Sequence, residues 1–448
     1  MMRSFISILF CCCLLPLAAQ SSAIKVEVRK EANGNWQLYR DGQPYYVKGV
    51  GGQTQLDKAV EIGANSIRTW STDDAGTILD EAQKKGLTVM LGLWVQHERH
   101  GFDYNNAESV AAQLEFFTSI VQKYKDHPAL LLWGIGNEVD LEYTNTNVWY
   151  AINDIAKMVH TLDPNHPTIT VTAGLDAEEV RLINERAPQI DIYGVNTYGD
   201  IAHVKNNIVQ FGWKGPYMIT EWGPNGHWEV AKTAWGAPIE QTSSEKAASY
   251  AKRYKESIAA DNKNCLGSYV FLWGFKQETT STWYGLFSDK GEVSTAVNEL
   301  EFLWTGHASK NKAPVIDSVF LQHQIKGADI YIKSGDKAEA VIYVSDPDND
   351  PLHFSWELVP ESNDIKSGGD AESRPAPVTG ISGMKRGNRF RFRAPANEGA
   401  YRLFVYAYDG KNNYAYANIP LYITPREPED GNARFIQFKK QTLASSQK

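Results

Sequence analysis

Glu138 closes the string WGIGNE and Glu221 sits within ITEWG, each just past an apolar run, 129–133 and 217–220. Runs of this kind suit buried parallel strands, which hand the polar residues at their ends to a pocket. Two carboxylates delivered in this way can do paired work, one giving and then taking a proton while the other acts as base or nucleophile. Their distance in sequence is no obstacle if both strands belong to one closed barrel, because all strand ends then open on the same face. Other polar and aromatic residues follow strands in the same manner: Arg68 in NSIRTW, His97, Asn137, Tyr198 in GVNTY, Trp222, Trp273 and Trp283, together with Trp70, Trp94 and Trp228. His97 offers a ring nitrogen to a polar group of a ligand, and several of the tryptophans offer flat apolar faces for stacking.

The elements that must position these residues alternate along the chain. Residues 24–46 alternate apolar and polar around Asn33-Gly34-Asn35 and Asp41-Gly42, which predicts a β-hairpin beneath the barrel floor. Strands are predicted over 46–50, 65–69, 88–94, 130–135, 168–172, 190–196, 217–220 and 266–272. Helices are predicted between them over 56–62, 75–85, 110–124, 148–161, 177–185 and 245–261, with a short crossover at 203–210 and a last helix over 293–304. Repeated strand–helix units of this number predict a (β/α)8 TIM barrel rather than an open sheet. After Ala313-Pro314 the helical period gives way to short alternating runs such as 338–344 and 401–408, the pattern of a β-sandwich. The expected organisation is a leader at 1–23, a barrel over 24–306, a linker at 307–313, a sandwich over 314–424 and a tail at 425–448, where Phe435 and Phe438 favour packing.

Composition narrows the classes of function. Arg3, the apolar stretch 5–17 and the small residues ending Ser21-Ser22-Ala23 have the layout of a secretory signal peptide, so a secreted or periplasmic location is expected. The stretch is shorter than the roughly 20 residues of a membrane span and is broken by Pro16, so no span is expected. Cys11, Cys12 and Cys13 lie in the leader and no Cys follows Leu17-Ala18-Ala19, so no lipoprotein site is expected. Cys265 is left without a partner and is expected buried in a strand, so the core must stabilise the protein without disulfides. A formal charge of -8 with no basic runs argues against a nucleic-acid reader, and 13 Trp and 22 Tyr suit a neutral polymer with sugar faces. No carboxylate or third histidine completes a zinc spacing with His97 and His100, and neither metal nor cofactor is expected.

Two carboxylates flanking a glycosidic bond suffice for its hydrolysis. Over residues 24–306 the chain resembles a clan A retaining glycoside hydrolase, whose signature is an Asn-Glu pair ending strand 4 and a Glu ending strand 7. Asn137-Glu138 and Glu221 match it. The resemblance implies Glu138 as acid/base, Glu221 as nucleophile and Asn137 as donor to the sugar 2-hydroxyl. It also implies Arg68 as the group that steadies the nucleophile, Tyr198 as a hydroxyl bonded to it, and Trp273 as the platform under the reacting sugar. Within the clan, YVKGVGGQ and GANSIRTW are similar to family 2-type barrels. Trp70, however, stands after Arg68-Thr69 where family 2 galactosidases have Ser-His, and the mature chain starts almost at strand 1. A barrel followed by an immunoglobulin-like module resembles family 158, whose members act on β-1,3-glucan, and IRTW is similar to the β-1,3-glucan-active families 17 and 72.

The C-terminal unit resembles immunoglobulin or cadherin-like modules through NKAPVI, VSDPDNDPLHFSWEL and YAYDGKNN. Asp346, Asp348, Asp350 and Glu357 fall at calcium-loop offsets, but Pro351 replaces the required Gly, so a strand-joining turn is expected there. A loop of this unit could complete a substrate cleft or the unit could be a spacer. The function expected is an endo-β-1,3-glucanase acting on β-glucan by double displacement. The alternatives are a β-glucanosyltransferase, an exo-acting β-glycosidase, and a glycan-binding protein on an inactive barrel.

Overall fold

A computed structural model describes residues 23–379 and 383–426. The expected leader, with Cys11 to Cys13, and the tail bearing Phe435 and Phe438 lie outside the described residues. The chain opens with a small antiparallel sheet of β1 (Val26–Lys30), β2 (Trp36–Arg40) and β3 (Gln43–Pro44). Eight strands follow: β4 (Val47–Gly51), β5 (Ser66–Arg68), β6 (Thr88–Leu93), β7 (Leu130–Ile135), β8 (Thr168–Ala173), β9 (Ile192–Asn196), β10 (Tyr217–Trp222) and β11 (Cys265–Val270). They pair in parallel in sequence order, and β11 closes onto β4 to make the predicted barrel. Cys265 is buried in β11, as expected.

The helices that join the strands are α1 (Leu56–Glu61), α2 (Ala75–Lys84), α3 (Ala107–Tyr124), α4 (Val148–Leu162), α5 (Ala177–Arg186), α6 (Ile201–Gln210) and α7 (Ser243–Arg253), with α8 (Thr295–Thr305) last. Where a short crossover was expected, α6 is a ten-residue helix. Ile201, Val204 and Ile208 recur at helical spacing and are buried, so one face docks although much of the rest is polar. The helix predicted over 245–261 starts at a Thr242–Glu245 capping box and ends in a π-helical turn over Tyr254–Ile258.

Side chains fill the barrel. Val26 and Leu38 of the N-terminal sheet join Val47, Met90, Leu132, Met218 and Tyr269 in one interior cluster. The sheet is fixed at the floor by Val26 N donating to Asn165 O (2.8 Å) and Trp36 N to Lys263 O (2.6 Å), both just ahead of strands. Gly49 of β4 leaves the space taken by the Tyr269 ring, where a Cβ would come within 2.2 Å of Cδ1. The Tyr269 hydroxyl then reaches Ser66 Oγ at 2.9 Å.

Ten further strands form two sheets around a second core. They are β12 (Val293–Ser294), β13 (Val315–Leu321), β14 (Gln324–Ile325), β15 (Tyr331–Lys333), β16 (Lys337–Ser345), β17 (His353–Pro360), β18 (Gly383–Arg386), β19 (Arg389–Arg393), β20 (Gly399–Tyr408) and β21 (Asn413–Thr424). One sheet runs β12-β21-β20-β17 with β15 on β21, and the other runs β14-β13-β16-β19-β18. Ile316, Ile342 and Phe392 from one face Trp356, Leu403 and Ile419 from the other. The turn after β16 is tied by Asp346 Oδ1, which accepts from Asp348 N and Asp350 N, each at 2.9 Å. Glu357 is drawn away to Arg374 at 2.8 Å, so it shares no loop with those aspartates.

The two cores are joined by more than a linker. Val293 of β12, in barrel sequence ahead of α8, pairs with Asn413 of β21 and so extends the sandwich sheet. Beside this seam Glu240 and Lys246 form a buried ion pair at 2.5 Å, and Lys246 Nζ also donates to the Thr282 and Trp283 carbonyls. Asn418 of β21 donates to Glu240 Oε2 (2.7 Å), and Thr280 and Thr282 complete the carboxylate's partners. Burial works against the Glu240 charge, but the Lys246 ammonium outweighs it and holds the carboxyl below its ordinary range. Among the described residues no helix is long and apolar enough to cross a membrane.

Lys246→Met removes one half of this buried pair and should cost about 3–5 kcal/mol in urea unfolding, because the Glu240 carboxyl is left buried without its partner. Lys58→Met, at the exposed Lys58–Glu61 pair, should cost at most about 1 kcal/mol.

Candidate active site

The carboxyl ends of the barrel strands open into a cavity of about 1000 Å³ lined by Glu138, Glu221, Asn137, Asn196 and Tyr198. At its base lies Arg68, the last residue of β5 and 1% exposed. Its Nη1 donates to Glu221 Oε1 (3.0 Å), the Thr220 carbonyl (2.6 Å) and Asn196 Oδ1 (3.3 Å), and its Nη2 donates to Asn137 Oδ1 (2.6 Å). One buried guanidinium thus fixes side chains from the ends of β7, β9 and β10.

The two glutamates have unequal surroundings. Glu221 accepts three hydrogen bonds, from Arg68 and Trp70 Nε1 (2.9 Å) at Oε1 and from the Tyr198 hydroxyl (3.1 Å) at Oε2. Burial, with the Glu221 charge beside it, raises the Tyr198 phenol well above its ordinary range, so it remains a donor. Among the described residues, the Glu138 carboxyl receives a hydrogen bond only from Asn196 Nδ2 (2.8 Å). Burial first, and then the Glu221 charge, push the Glu138 carboxyl up to about 8, with Asn196 opposing. Its backbone lies in the left-handed region (φ 50°), an arrangement that costs about 1–3 kcal/mol and is held here by Glu138 N donating to Val171 O at 2.9 Å. Below it Asp140 accepts from Ala173 N (3.0 Å), and burial raises its carboxyl to about 7.

Of the residues singled out from sequence, Asn137, Glu138, Tyr198 and Glu221 line the cavity, Arg68 is buried beneath them, and four others stand away from it. Trp222 follows Glu221 directly in β10; strand alternation turns it outward onto Tyr250 and Tyr254, with ring centroids 5.4 and 5.9 Å away. Trp273 is 1% exposed with its ring edge-on to Phe287 at 4.7 Å. The resemblance implied Trp273 as platform just past a strand expected to run to 272; β11 ends at Val270, and Phe271 lines the cavity instead. Trp283 lies behind the wall, where its Nε1 donates to Asn225 O (2.9 Å) under the loop that carries His227 and Trp228. His97 is 2% exposed, stacked between Trp94 at 4.7 Å and His100 at 5.3 Å, and so has no direct path to a sugar hydroxyl.

Other wall residues escaped the sequence reading. Asn196 links Glu138 to Arg68, which itself holds Glu221, and its position ending an apolar strand one residue before Thr197-Tyr198 is the available signal. Trp70 was grouped with sugar-stacking aromatics, yet its indole N–H is spent on Glu221. Glu278, which burial raises, pairs with Lys276 at 2.8 Å on one wall. Residues 365–370, from the connection after β17, line another part of the cavity, and no local pattern in IKSGGD announces that.

Glu221→Gln removes the charge that helps hold Glu138 protonated, and the Glu138 titration should fall below 8. Asn196→Ala removes the donor that favours the charged form and should move it above 8. Carbon-13 NMR titration of labelled glutamate reads both, and equal titration in the three proteins contradicts this electrostatic description.

Residues 64–229 match the glycosyl hydrolases family 2 TIM barrel domain. The chain is 23% identical over 260 residues to β-glucuronidase of Paenibacillus borealis, covering 52% of this chain and 42% of that one. It is 23% identical over 201 residues to β-glucuronidase of Chlorocebus aethiops, covering 40% of this chain and 29% of that one. It therefore spans under half the length of these curated relatives. A solved structure of Bifidobacterium dentium β-glucuronidase complexed with coumarin-3-O-glucuronide aligns with a TM-score of 0.49 and 19% identity over 63% of this chain and 49% of that one. Over residues 64–229, the part of the barrel that carries Glu138 and Glu221 is thus similar to the family 2 TIM barrel domain of glycosyl hydrolases.

Proposed function

We propose that the protein is a retaining β-glycoside hydrolase with Glu221 as nucleophile and Glu138 as acid/base. The observation that carries this reading is the unequal environment of the two carboxyls: three donors on Glu221, and on Glu138 burial with a single donor. Glu138, raised to about 8, holds a proton near neutral pH and can act as the acid, while the three donors around Glu221 suit a nucleophilic carboxylate. Glu221 attacks the anomeric carbon as the glycosidic bond breaks, and the Glu138 proton passes to the leaving oxygen. Glu138, now a carboxylate, takes a proton from water, whose oxygen displaces Glu221 and frees the sugar. Asn137, held by Arg68 and Asn196, is placed to meet the 2-hydroxyl.

For the substrate we favour a neutral β-glucan, with β-1,3 linkage suggested by the likeness to families 158, 17 and 72. Glu229, Glu278 and Asp370 share the wall, while its two lysines are already engaged, Lys276 by Glu278 and the Gly369 carbonyl (2.6 Å) and Lys366 by the Ala371 carbonyl (2.5 Å). A uronate would meet a largely acidic wall. The second reading, a β-glucuronide, rests on the names of the relatives and would require Lys276 or Lys366 to exchange its present partner for the substrate carboxylate. Endo-hydrolysis, exo-hydrolysis and glucanosyl transfer share the same first step. We read the sandwich as an immunoglobulin-like module over 314–424, joined at 307–313 to a barrel over 24–306, and the leader at 1–23 as directing export to a secreted or periplasmic location.

Incubation with laminarin, mixed-linkage glucan, galactan, mannan and aryl β-glucuronides tests the substrate, and short oligosaccharides from laminarin are expected. A 2-deoxy-2-fluoro glycoside of the sugar released should add its glycosyl mass to the peptide containing Glu221, and Glu221→Gln should abolish labelling. Glu138→Ala should lose about 10²–10⁴-fold on unactivated glucan and much less on glycosides whose leaving group needs no proton. A label on any other residue would contradict the assignment.

A further inference from the structure

Residues 365–370 belong to the sandwich in sequence and to the barrel cavity in space. Three barrel loops hold this strap and its continuation to Glu372. After β6, Arg99 Nη1 and Nη2 donate to Asp370 Oδ2 (2.7 Å) and Oδ1 (3.1 Å), and His100 Nε2 lies 3.0 Å from Oδ2. After β7, Glu142 Oε1 accepts from Ser367 Oγ at 2.7 Å. After β11, Lys276 Nζ donates to Gly369 O (2.6 Å), and Thr279 N donates to Glu372 Oε2 (2.6 Å). The strap must be thin where it crosses: a Cβ on Gly368 would lie 2.7 Å from Arg99 Nη2 and 2.8 Å from Leu141 Cδ2, and Gly368 and Gly369 both have positive φ, 59° and 71°.

The clamp at Asp370 leads back to the cavity through stacked rings. Arg99 Nε also donates to His97 Nδ1 (3.1 Å), and His100, His97 and Trp94 lie nearly parallel, with interplanar angles of 7° and 13°. Trp94 is half-buried and lines the cavity, with one face covered by His97. Burial, then the nearby Arg99 charge, lower His97 to about 4, so at neutral pH the column carries no charge at its centre. The cavity volume is at the top of the range of about 300–1,000 Å³ for small-ligand sites, larger than the reacting sugar alone requires.

We infer that the strap and the Trp94–His97–His100 column build a second subsite, which holds a neutral pyranose unit of the same glycan chain against Trp94 beside the Gly368–Gly369 backbone. Asp370 and His97 are positioning residues: they orient Trp94 and the strap without touching the reacting atoms. The inference rests on the glycosidase reading above and adds that the sandwich sets how the enzyme responds to chain length.

The test is kcat and KM for an aryl monoglycoside and for β-linked oligosaccharides of two to six units, in wild type, Asp370→Ala, Arg99→Gln and the double variant. Both single variants are expected to raise KM for oligosaccharides at least tenfold, with a much smaller effect on the aryl glycoside and kcat within threefold. The double variant should resemble either single variant, since both break one clamp. His97→Phe, which keeps the stack, should retain more of the chain-length gain than His97→Ala. Wild-type chain-length dependence in Asp370→Ala and Arg99→Gln would overturn the subsite and leave the glycosidase reading standing. A wild-type protein inert on every glycoside would overturn that reading and this inference with it.

Discussion

A single buried cation organises this molecule's working face. Arg68 ends a three-residue strand, and its guanidinium reaches Asn137 from β7, Asn196 from β9, and Thr220 and Glu221 from β10. Burying that charge is tolerable only because Glu221 neutralises it and the neighbouring oxygens accept its N–H groups. Each partner is thereby held by something other than its own rotamer preference. Take the guanidinium away and the Glu221 carboxylate is left buried beside Glu138, with the Asn137 side-chain oxygen held, among the described residues, only through Asn196.

From this anchor follows the difference between the two carboxyls. Donors converge on Glu221, so its negative charge is stabilised where it stands. Glu138 is denied that support and placed next to a fixed negative charge, so its protonated form is favoured to about pH 8. The left-handed backbone at Glu138 shows where the fold has accepted local cost to aim a side chain into the cavity. Around this pair the aromatic and polar wall is completed by residues from the sandwich, made possible by a seam in which β12 pairs with β21 and Glu240 binds Lys246 away from water.

The barrel was legible in the sequence because its strands are apolar runs that stop at polar residues, and the same pattern pointed to Arg68, Glu138 and Glu221. Sequence marks which residue follows a strand, but not which way it faces once the strand has ended. That is why Trp222, Trp273 and Trp283, all expected at the cavity, lie behind it, and Phe271 takes a place on the wall. The α6 segment was read too short because its polar residues concealed three buried positions at helical spacing. The strap was beyond reach for a different reason: its contacts, such as Arg99 with Asp370, join residues far apart in the chain and leave no periodic trace. The mutual placement of His97 and Trp94 likewise depends on ring stacking that composition does not encode.

The division of labour between Glu138 and Glu221 predicts a definite stereochemical result. Proton NMR during the first minutes of turnover of a β-glycoside, before the released sugar mutarotates, reads the anomer formed at the cleaved bond. Two displacements through a Glu221 ester predict the β-anomer first, with α appearing only by mutarotation. Initial release of the α-anomer would mean a single displacement by water, and Glu221 would then be a base rather than the nucleophile.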